Sequence, residues 1–285
     1  MSKPDPSEQH LDPPPAGFGG ATGTHEAPPF KEPLAPNAGK KLAVAVDGES
    51  WARVPLQTEL FARGDDLATR VTGCVVASAA AVAASPELAA GLDNRWYVVI
   101  SEKIVAISQG RSYFTWEINP RKAARTLSRF VVRTPHGLGL GTPWTMQLAI
   151  EEAGLPRIVA AAGAGAVGKL VRQKGWFYRV AGHRVNAIDG PTEYSAYPSN
   201  VSAKLPPKDP EKVASALRKA IAAALPAGAA EHFGGVVVID SNDLGREVLG
   251  QDTDLADEFF KKLFTDNPFG QGRQQTPIAL ALRLV

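Results

Sequence analysis

The sequence predicts an α+β fold in which mixed sheets are flanked by helices, and three observations carry that prediction. Runs rich in β-branched and aromatic residues mark strands: Lys41 to Val46, Trp96 to Ser108, Trp176 to Ile188, and the fully apolar Gly235 to Ile239. Segments with helical spacing alternate with them: Leu67 to Ala80, Ser85 to Gly91, Pro120 to Phe130, Thr145 to Ala153, Asp209 to Leu225 and Asp254 to Phe264. The third observation is the absence of a regular strand–helix–strand beat or an internal repeat.

Each element has a local reason. Pro120 and the Asp209-Pro210 step suit the first turn of a helix, and Ala123, Leu127 and Phe130 fall on one face of the first of these two helices. Gly154 and Pro156 stop the Thr145 helix. Residues 1–38 hold nine of the 23 prolines and no sustained apolar period, so they read as a disordered tail. Residues 39–285 then read as one folded domain, because no second break in composition follows.

Composition narrows the function. With 285 residues and an apolar fraction of 44%, the chain can fill a substantial core. Its 31 basic and 29 acidic residues leave a net charge of +2, which supplies no field for nucleic acid or an anionic membrane. Charge alone names no partner. The lone Cys74 can form neither an intramolecular disulfide nor a thiolate metal site, and reads as a small buried residue. No apolar run approaches the roughly 20 residues that cross a bilayer, and no leader pattern opens the chain, so a cytoplasmic location is expected.

Two glycine-rich stretches invite functional readings. Gly163-Ala-Gly165-Ala-Val-Gly168-Lys169 matches both a dinucleotide-binding turn and the start of a P-loop, but Leu170 stands where a P-loop needs a hydroxyl for Mg²⁺. A small-residue helix or turn is the simpler account, and a nicotinamide-dependent oxidoreductase built on these glycines is the minor alternative. His136, within His136 to Trp144, is a loop residue able to reach a substrate, while His183 reads as part of a strand turn.

Carboxylates at element edges carry the stronger signal. Asp189 follows an apolar residue in Ile188-Asp189-Gly190, Asp240 ends the strand Val238-Ile239-Asp240-Ser241-Asn242, and Asp65 and Asp66 precede Leu67. The Asp65-Asp66 pair suits a turn and helix cap. Asp240 stands where a sheet delivers a catalytic acid to a cleft. Carboxylate and hydroxyl oxygens suit hard divalent cations such as Mg²⁺ or Mn²⁺, and a phosphoryl-transfer site fits that set.

Several motifs in order then resemble one family. They are Pro55-Leu56 with Gly64-Asp65-Asp66-Leu67-Ala68, Val98 to Val105 with Gln109-Gly110-Arg111, and Asn119-Pro120 with Ala123-Ala124. Asn186-Ala187-Ile188-Asp189 with Ser199-Asn200-Val201 follows, then Leu205 to Pro210, Val238 to Asn242 with Gly245-Arg246, and Phe269-Gly270 with Arg273 and Thr276. Together they resemble the coenzyme F420-0:L-glutamate (γ-glutamyl) ligase family, and the chain looks like a divergent paralogue.

The resemblance implies a γ-glutamyl-ligase-like fold and a GTP- or ATP-dependent ligase. Such an enzyme joins an amino acid, by default L-glutamate, to a carboxylate acceptor, by default coenzyme F420-0, through an acyl phosphate. It implies Asp189, Asp240 and Ser241 as ligands of Mg²⁺ or Mn²⁺, with Ser241 in place of the family's threonine. Asn200 would contact the nucleotide, with Leu56, Ser101, Glu102 and Lys103 lining its site. Lys103 and Arg111 would serve as fixed cations during catalysis, and the active form would be a homodimer.

Three departures qualify the carry-over. Ten residues separate Asp189 from Asn200, where the family keeps the pair close. The stretch from Phe130 to Gly175 has little in common with the family and is expected to shape a different acceptor pocket. The sequence stops soon after Thr276, where family members continue, which motivates a non-catalytic nucleotide-binding paralogue as the alternative.

Overall fold

A computed structural model describes residues 31–131, 139–173, 175–191, 201–242, 245–270 and 274–284. In chain order its strands are β1 (Ala43–Val46), β2 (Glu49–Leu56), β3 (Trp96–Ser101), β4 (Ser112–Phe114), β5 (Ser202–Lys204), β6 (Phe233–Ser241), β7 (Arg246–Asp252) and β8 (Ile278–Leu284). The helices are α1 (Leu67–Ala83), α2 (Glu102–Ser108), α3 (Lys122–Leu127), α4 (Pro143–Ala153), α5 (Leu155–Leu170), α6 (Trp176–Ala181), α7 (His183–Asn186), α8 (Pro210–Ala224), α9 (Ala227–Glu231) and α10 (Asp257–Leu263). Where composition reads as one uninterrupted domain, the residues gather into two compact units. One is Gly110–Pro206, and the other is Glu26–Gln109 with Pro207–Val285.

The second unit is built on a six-stranded mixed sheet in the order β1-β2-β8-β3-β6-β7, flanked by helices. β3 and β6 run parallel, and the other neighbouring pairs are antiparallel. Both faces of its central strands are covered, which is why they read as unbroken apolar runs rather than alternating ones. Val98, Ile100, Val236 and Val238 pack with Val71, Val75 and Val82 of α1 and with Leu217 and Ile221 of α8. The intervening Tyr97, Val99, Val237 and Ile239 pack with Phe260, Leu263 and Phe264 from α10 and its C-terminal end.

Local signals start the helices of this unit. Asp66 caps α1 by accepting from the Thr69 amide at 3.2 Å and its hydroxyl at 2.6 Å, so the Asp65-Asp66 step is a turn and cap. Pro210 opens α8. Gly250 of β7 lets α8 approach, since a Cβ there would lie 2.3 Å from the Glu211 amide nitrogen. Arg53 is buried at 1% exposure and donates to the carbonyls of Leu263 and Lys41 and to the carboxylate of Asp266. Residues 31–38, which composition groups with the tail, include the buried Asn37; its amide nitrogen bonds Pro268 O and Thr276 Oγ1, each at 2.8 Å.

The Gly110–Pro206 unit holds the two-stranded β4-β5 ribbon and helices α3 to α7 around Met146, Leu148, Ile150, Ile158 and Val185. Thr142 caps α4, and Gly154, at φ 85°, turns the chain directly into α5. The glycine motif lies inside α5, so neither a P-loop nor a dinucleotide turn exists there. Its glycines serve close packing, because a Cβ on Gly165 would lie 3.3 Å from Phe177 Cβ and one on Gly168 would lie 2.8 Å from Gln173 O.

Four sequence expectations are corrected. Trp96 to Ser108 is one strand followed by α2, because Ser101 caps a helix that its β-branched residues do not reveal. Trp176 to Ile188 forms α6 and α7 rather than a strand, divided by Gly182 at φ 100°, as its aromatics pack on the glycines of α5. In Ser85 to Gly91 only the 3₁₀ turn Ala89–Gly91 is helical. Phe130 is 72% exposed, because α3 gives way to a 3₁₀ turn at Ser128–Phe130 and loses the helical period.

Two predictions follow from this packing. Gly250→Ala should lower the unfolding free energy by about 1–3 kcal/mol through overpacking, measured by urea titration. The hydrogen bond from Arg218 holds the Asp252 carboxyl below the usual carboxylate range. At Asp266 burial acts upward, but the Arg53 hydrogen bond and charge outweigh it and the net shift is also downward. Depressed folded-state values contribute stability above the unfolded carboxylate pKa of about 3.9, and that contribution is lost as pH falls through the folded values. Stability should therefore decline below about pH 4, and Arg218→Met should flatten the decline.

Candidate functional site

The parallel pairing of β3 with β6, in the register Ile100↔Val238 and Ser101↔Ile239, brings the carboxyl ends of both strands to one sheet edge. β8 runs antiparallel to β2 and β3, with Ile278 opposite both Leu56 and Ile100, so the carboxyl end of β2 reaches the same edge. Leu56, Ser101, Glu102, Lys103, Asp240 and Ser241 are thereby gathered along it. Ligands of open sheets with parallel strands bind beyond such ends.

Ser101 links the sheet to α2. Its amide donates to Pro277 O at 2.8 Å, and its hydroxyl accepts from the Lys103 amide at 3.3 Å. Lys103 is exposed and Glu102 half-buried. Asp240 and Ser241 follow the fully buried Val236 to Ile239 and pair with Glu247 and Arg246 across the hairpin. Asn242 closes its turn, donating through its amide to Gly245 O and accepting at Oδ1 from the Gly245 amide, both at 2.9 Å.

The Ser241 hydroxyl oxygen is buried and has no hydrogen-bond partner among the described residues. Other orphaned buried groups occur at Trp51, Thr72 and Thr115, but Ser241 stands directly after a carboxylate at a strand end. Such a group is costly unless something satisfies it. An aspartate and an unanswered hydroxyl are oxygen donors of the kind a hard divalent cation takes, so the residues fit Mg²⁺ or Mn²⁺. Among the described residues no three His, Cys, Asp or Glu side chains form a cage of their own. Mg²⁺ ordinarily binds through one or two protein carboxylates and fills its shell with waters and phosphates.

The remaining expected residues lie in the Gly110–Pro206 unit. Asp189 has an exposed side chain and forms a backbone bridge with Lys204, its amide donating to Lys204 O at 3.0 Å and its carbonyl accepting at 2.8 Å. Arg111 is buried; its Nε donates to Pro206 O at 2.6 Å and its Nη2 to Glu152 Oε2 at 3.0 Å. Glu152 also takes Arg184 at 2.6 Å. These partners give Arg111 a structural role within its own unit. Asn200 and His136 lie outside the described residues, and His183 opens α7.

Sequence reasoning missed two residues of this unit. Lys204 is buried between Asp189 and Ser112 in the ribbon register, with its ammonium donating to Ser202 Oγ at 3.1 Å. The alternation Ser202-Ala203-Lys204 was its only sequence signal. For Glu152 of α4 nothing local in the sequence announces Arg111 as its partner. At the C-terminal end, the Phe269-Gly270 motif folds the approach to β8, where the Thr276 hydroxyl donates to Phe269 O at 2.6 Å.

The family model described as F420-0:Gamma-glutamyl ligase matches residues 55–247. A search of curated proteins finds no match to the chain. The matched segment begins at the end of β2, takes in the carboxyl ends of β3 and β6, and ends in β7. As it covers more than half of the 285 residues, the chain belongs to the F420-0:γ-glutamyl ligase family.

Proposed function

We propose that the protein is a nucleotide- and divalent-metal-dependent ligase that joins an amino acid to a carboxylate acceptor through an acyl phosphate. L-Glutamate and coenzyme F420-0 are the default pair. The observation that carries this reading is the orphaned Ser241 hydroxyl next to Asp240, on the sheet edge that also bears Leu56, Ser101, Glu102 and Lys103.

Asp240 and Ser241 would hold Mg²⁺ or Mn²⁺, which offsets the charge of the nucleotide phosphates when bound. Asp189 is proposed as a further metal carboxylate in its own unit, and Asn200 as a nucleotide contact. Ser101 and Glu102, at the β3–α2 junction, and Leu56, through its backbone, would line the GTP or ATP site. Lys103 supplies a solvent-facing cation for the phosphates, a role for which Arg111 is already committed elsewhere. The acceptor carboxylate oxygen takes the γ-phosphoryl group, releasing nucleoside diphosphate. The amine then attacks the acyl carbon, an amide bond forms, inorganic phosphate leaves and the amine proton passes to solvent. The chain's contribution is positioning and electrostatics. A homodimeric active form completes the proposal.

Nucleoside diphosphate release from GTP or ATP, measured with Mg²⁺ or Mn²⁺, glutamate and a panel of carboxylates, tests this reading. Nucleotide binding without release across the panel would instead identify the non-catalytic paralogue. Asp240→Asn should lower kcat roughly 10²-fold or more. Ser241→Ala separates a functional from a structural hydroxyl. It should leave thermal stability unchanged or raise it by up to about 1 kcal/mol, since it removes an unsatisfied buried group. At the same time it should raise the metal concentration for half-activation about 10–100-fold. An unaltered metal dependence in this variant would sink the assignment.

A further inference from the structure

Residues 31–38 lie outside the family match over residues 55–247, yet they are fastened along the carboxyl edge of the sheet. At one end the Lys31 amide donates at 3.3 Å to Oε1 of Gln57, the residue after Leu56. At the other end the buried Asn37 bonds Pro268 O and Thr276 Oγ1. Thr276 stands just before Ile278, which lies opposite both Leu56 and Ile100. Between these anchors Leu34 packs on the core cluster that contains Leu56 and Ile100. Leu34 holds φ at 62°, a left-handed conformation that a leucine keeps only where its surroundings fix it.

This strap carries a cation to the edge. Lys31 is half-buried, its Nζ donates to Glu32 O at 3.3 Å, and no carboxylate pairs with it among the described residues. Burial pushes its ammonium below the ordinary lysine range, and no neighbouring charge opposes that shift. Lysines ordinarily bury the stem and keep the ammonium in water. One held half-buried without a counter-charge suits an anion that arrives with a ligand.

We propose that Lys31 is a nucleotide-binding residue whose ammonium takes an oxygen of the bound nucleotide's phosphates. The inference rests on the ligase reading for the identity of the ligand, and it adds a residue from outside the matched segment. Lys31, Leu56, Ser101 and Asp240 all belong to one compact unit. Lysine meets phosphate as a point charge, and its ammonium has three donors, of which Glu32 O takes one. The nucleotide is favoured over the acceptor because Lys31 stands against Gln57, directly after the Leu56 backbone that would line the nucleotide site. A triphosphate also carries several negative charges where a carboxylate carries one, so it gains more from a fixed cation.

Calorimetric titration of the full chain with GTP and with ATP in the presence of Mg²⁺, beside the nucleoside diphosphate assay, tests it. Lys31→Met keeps the apolar stem and removes the charge. It should weaken nucleotide binding about 10-fold at an unchanged melting temperature, and the difference from wild type should shrink at high salt. Lys31→Arg should recover most of the affinity. Lys219→Met makes the same charge change on an exposed residue of α8 and should bind as the wild type does. Its neighbour Arg218 reaches Asp252, which pairs with Val236 away from the carboxyl edge. Unaltered affinity in Lys31→Met, or an equal loss in Lys219→Met, would overturn this inference and leave the ligase reading standing. A wild type that binds neither nucleotide would remove both. Nucleotide binding that Lys31→Met weakens, without diphosphate release, would uphold this inference and remove only the turnover.

Discussion

The parallel contact between β3 and β6 is the constraint on which the sheet unit depends, because it brings the carboxyl ends of these two strands to one edge. Parallel neighbours need a long crossover, and the chain between them contains the whole Gly110–Pro206 unit and α8. The pairing itself rests on two glycines. Gly234 lies under the Tyr97 ring, where a Cβ would come within 2.2 Å of it, and Gly235 adopts φ 127° where the register shifts. A Cβ on Gly235 would meet Asp252 O of β7 at 1.9 Å, so the same residue also admits the edge strand. Once β6 is seated, Asp240 and Ser241 emerge beside Ser101 by register alone.

The buried polar groups divide into those that the fold answers and those that it leaves open. The two terminal nitrogens of Arg53 have two carbonyls and a carboxylate, although its Nε has no partner among the described residues, and Arg111 has a carbonyl and Glu152. These cations hold segments distant in sequence and leave little capacity for chemistry. Ser241 is the reverse case, a buried hydroxyl that the described residues do not satisfy, at the end of a strand rather than in the middle of the core. Desolvation without a partner is a cost that a bound cation can repay. The contrast separates Ser241 from Arg111, although both stood as site residues by resemblance.

Helix α5 shows one sequence serving two faces. Gly165 and Gly168 admit α6 on the inner side, whereas Gly163 leaves open space on the outer side. Read as a string, the three form a phosphate-binding pattern, but that chemistry needs a strand before the loop and a hydroxyl after the lysine. α5 supplies neither, since the residues before Gly163 are already helical and Leu170 follows Lys169.

The sequence by itself determined what depends on near neighbours. The α+β class, the Asp66 cap, the Pro210 helix start, the buried run ending at Asp240 and the ordered family motifs were all legible, because periodicity, caps and motif spacing are local properties. It misread Glu102–Ser108 and Trp176–Asn186 as strand, since β-branched and aromatic content favours strands until a serine cap or a glycine-lined helix offers better packing. Only the tertiary structure decided that Leu56, Ser101 and Asp240 share an edge, that Glu152 claims Arg111 and that the buried Ser241 hydroxyl has no partner among the described residues. Each of those outcomes depends on strand register or on a partner far away in the chain, and neither is encoded in the spacing of residues along it.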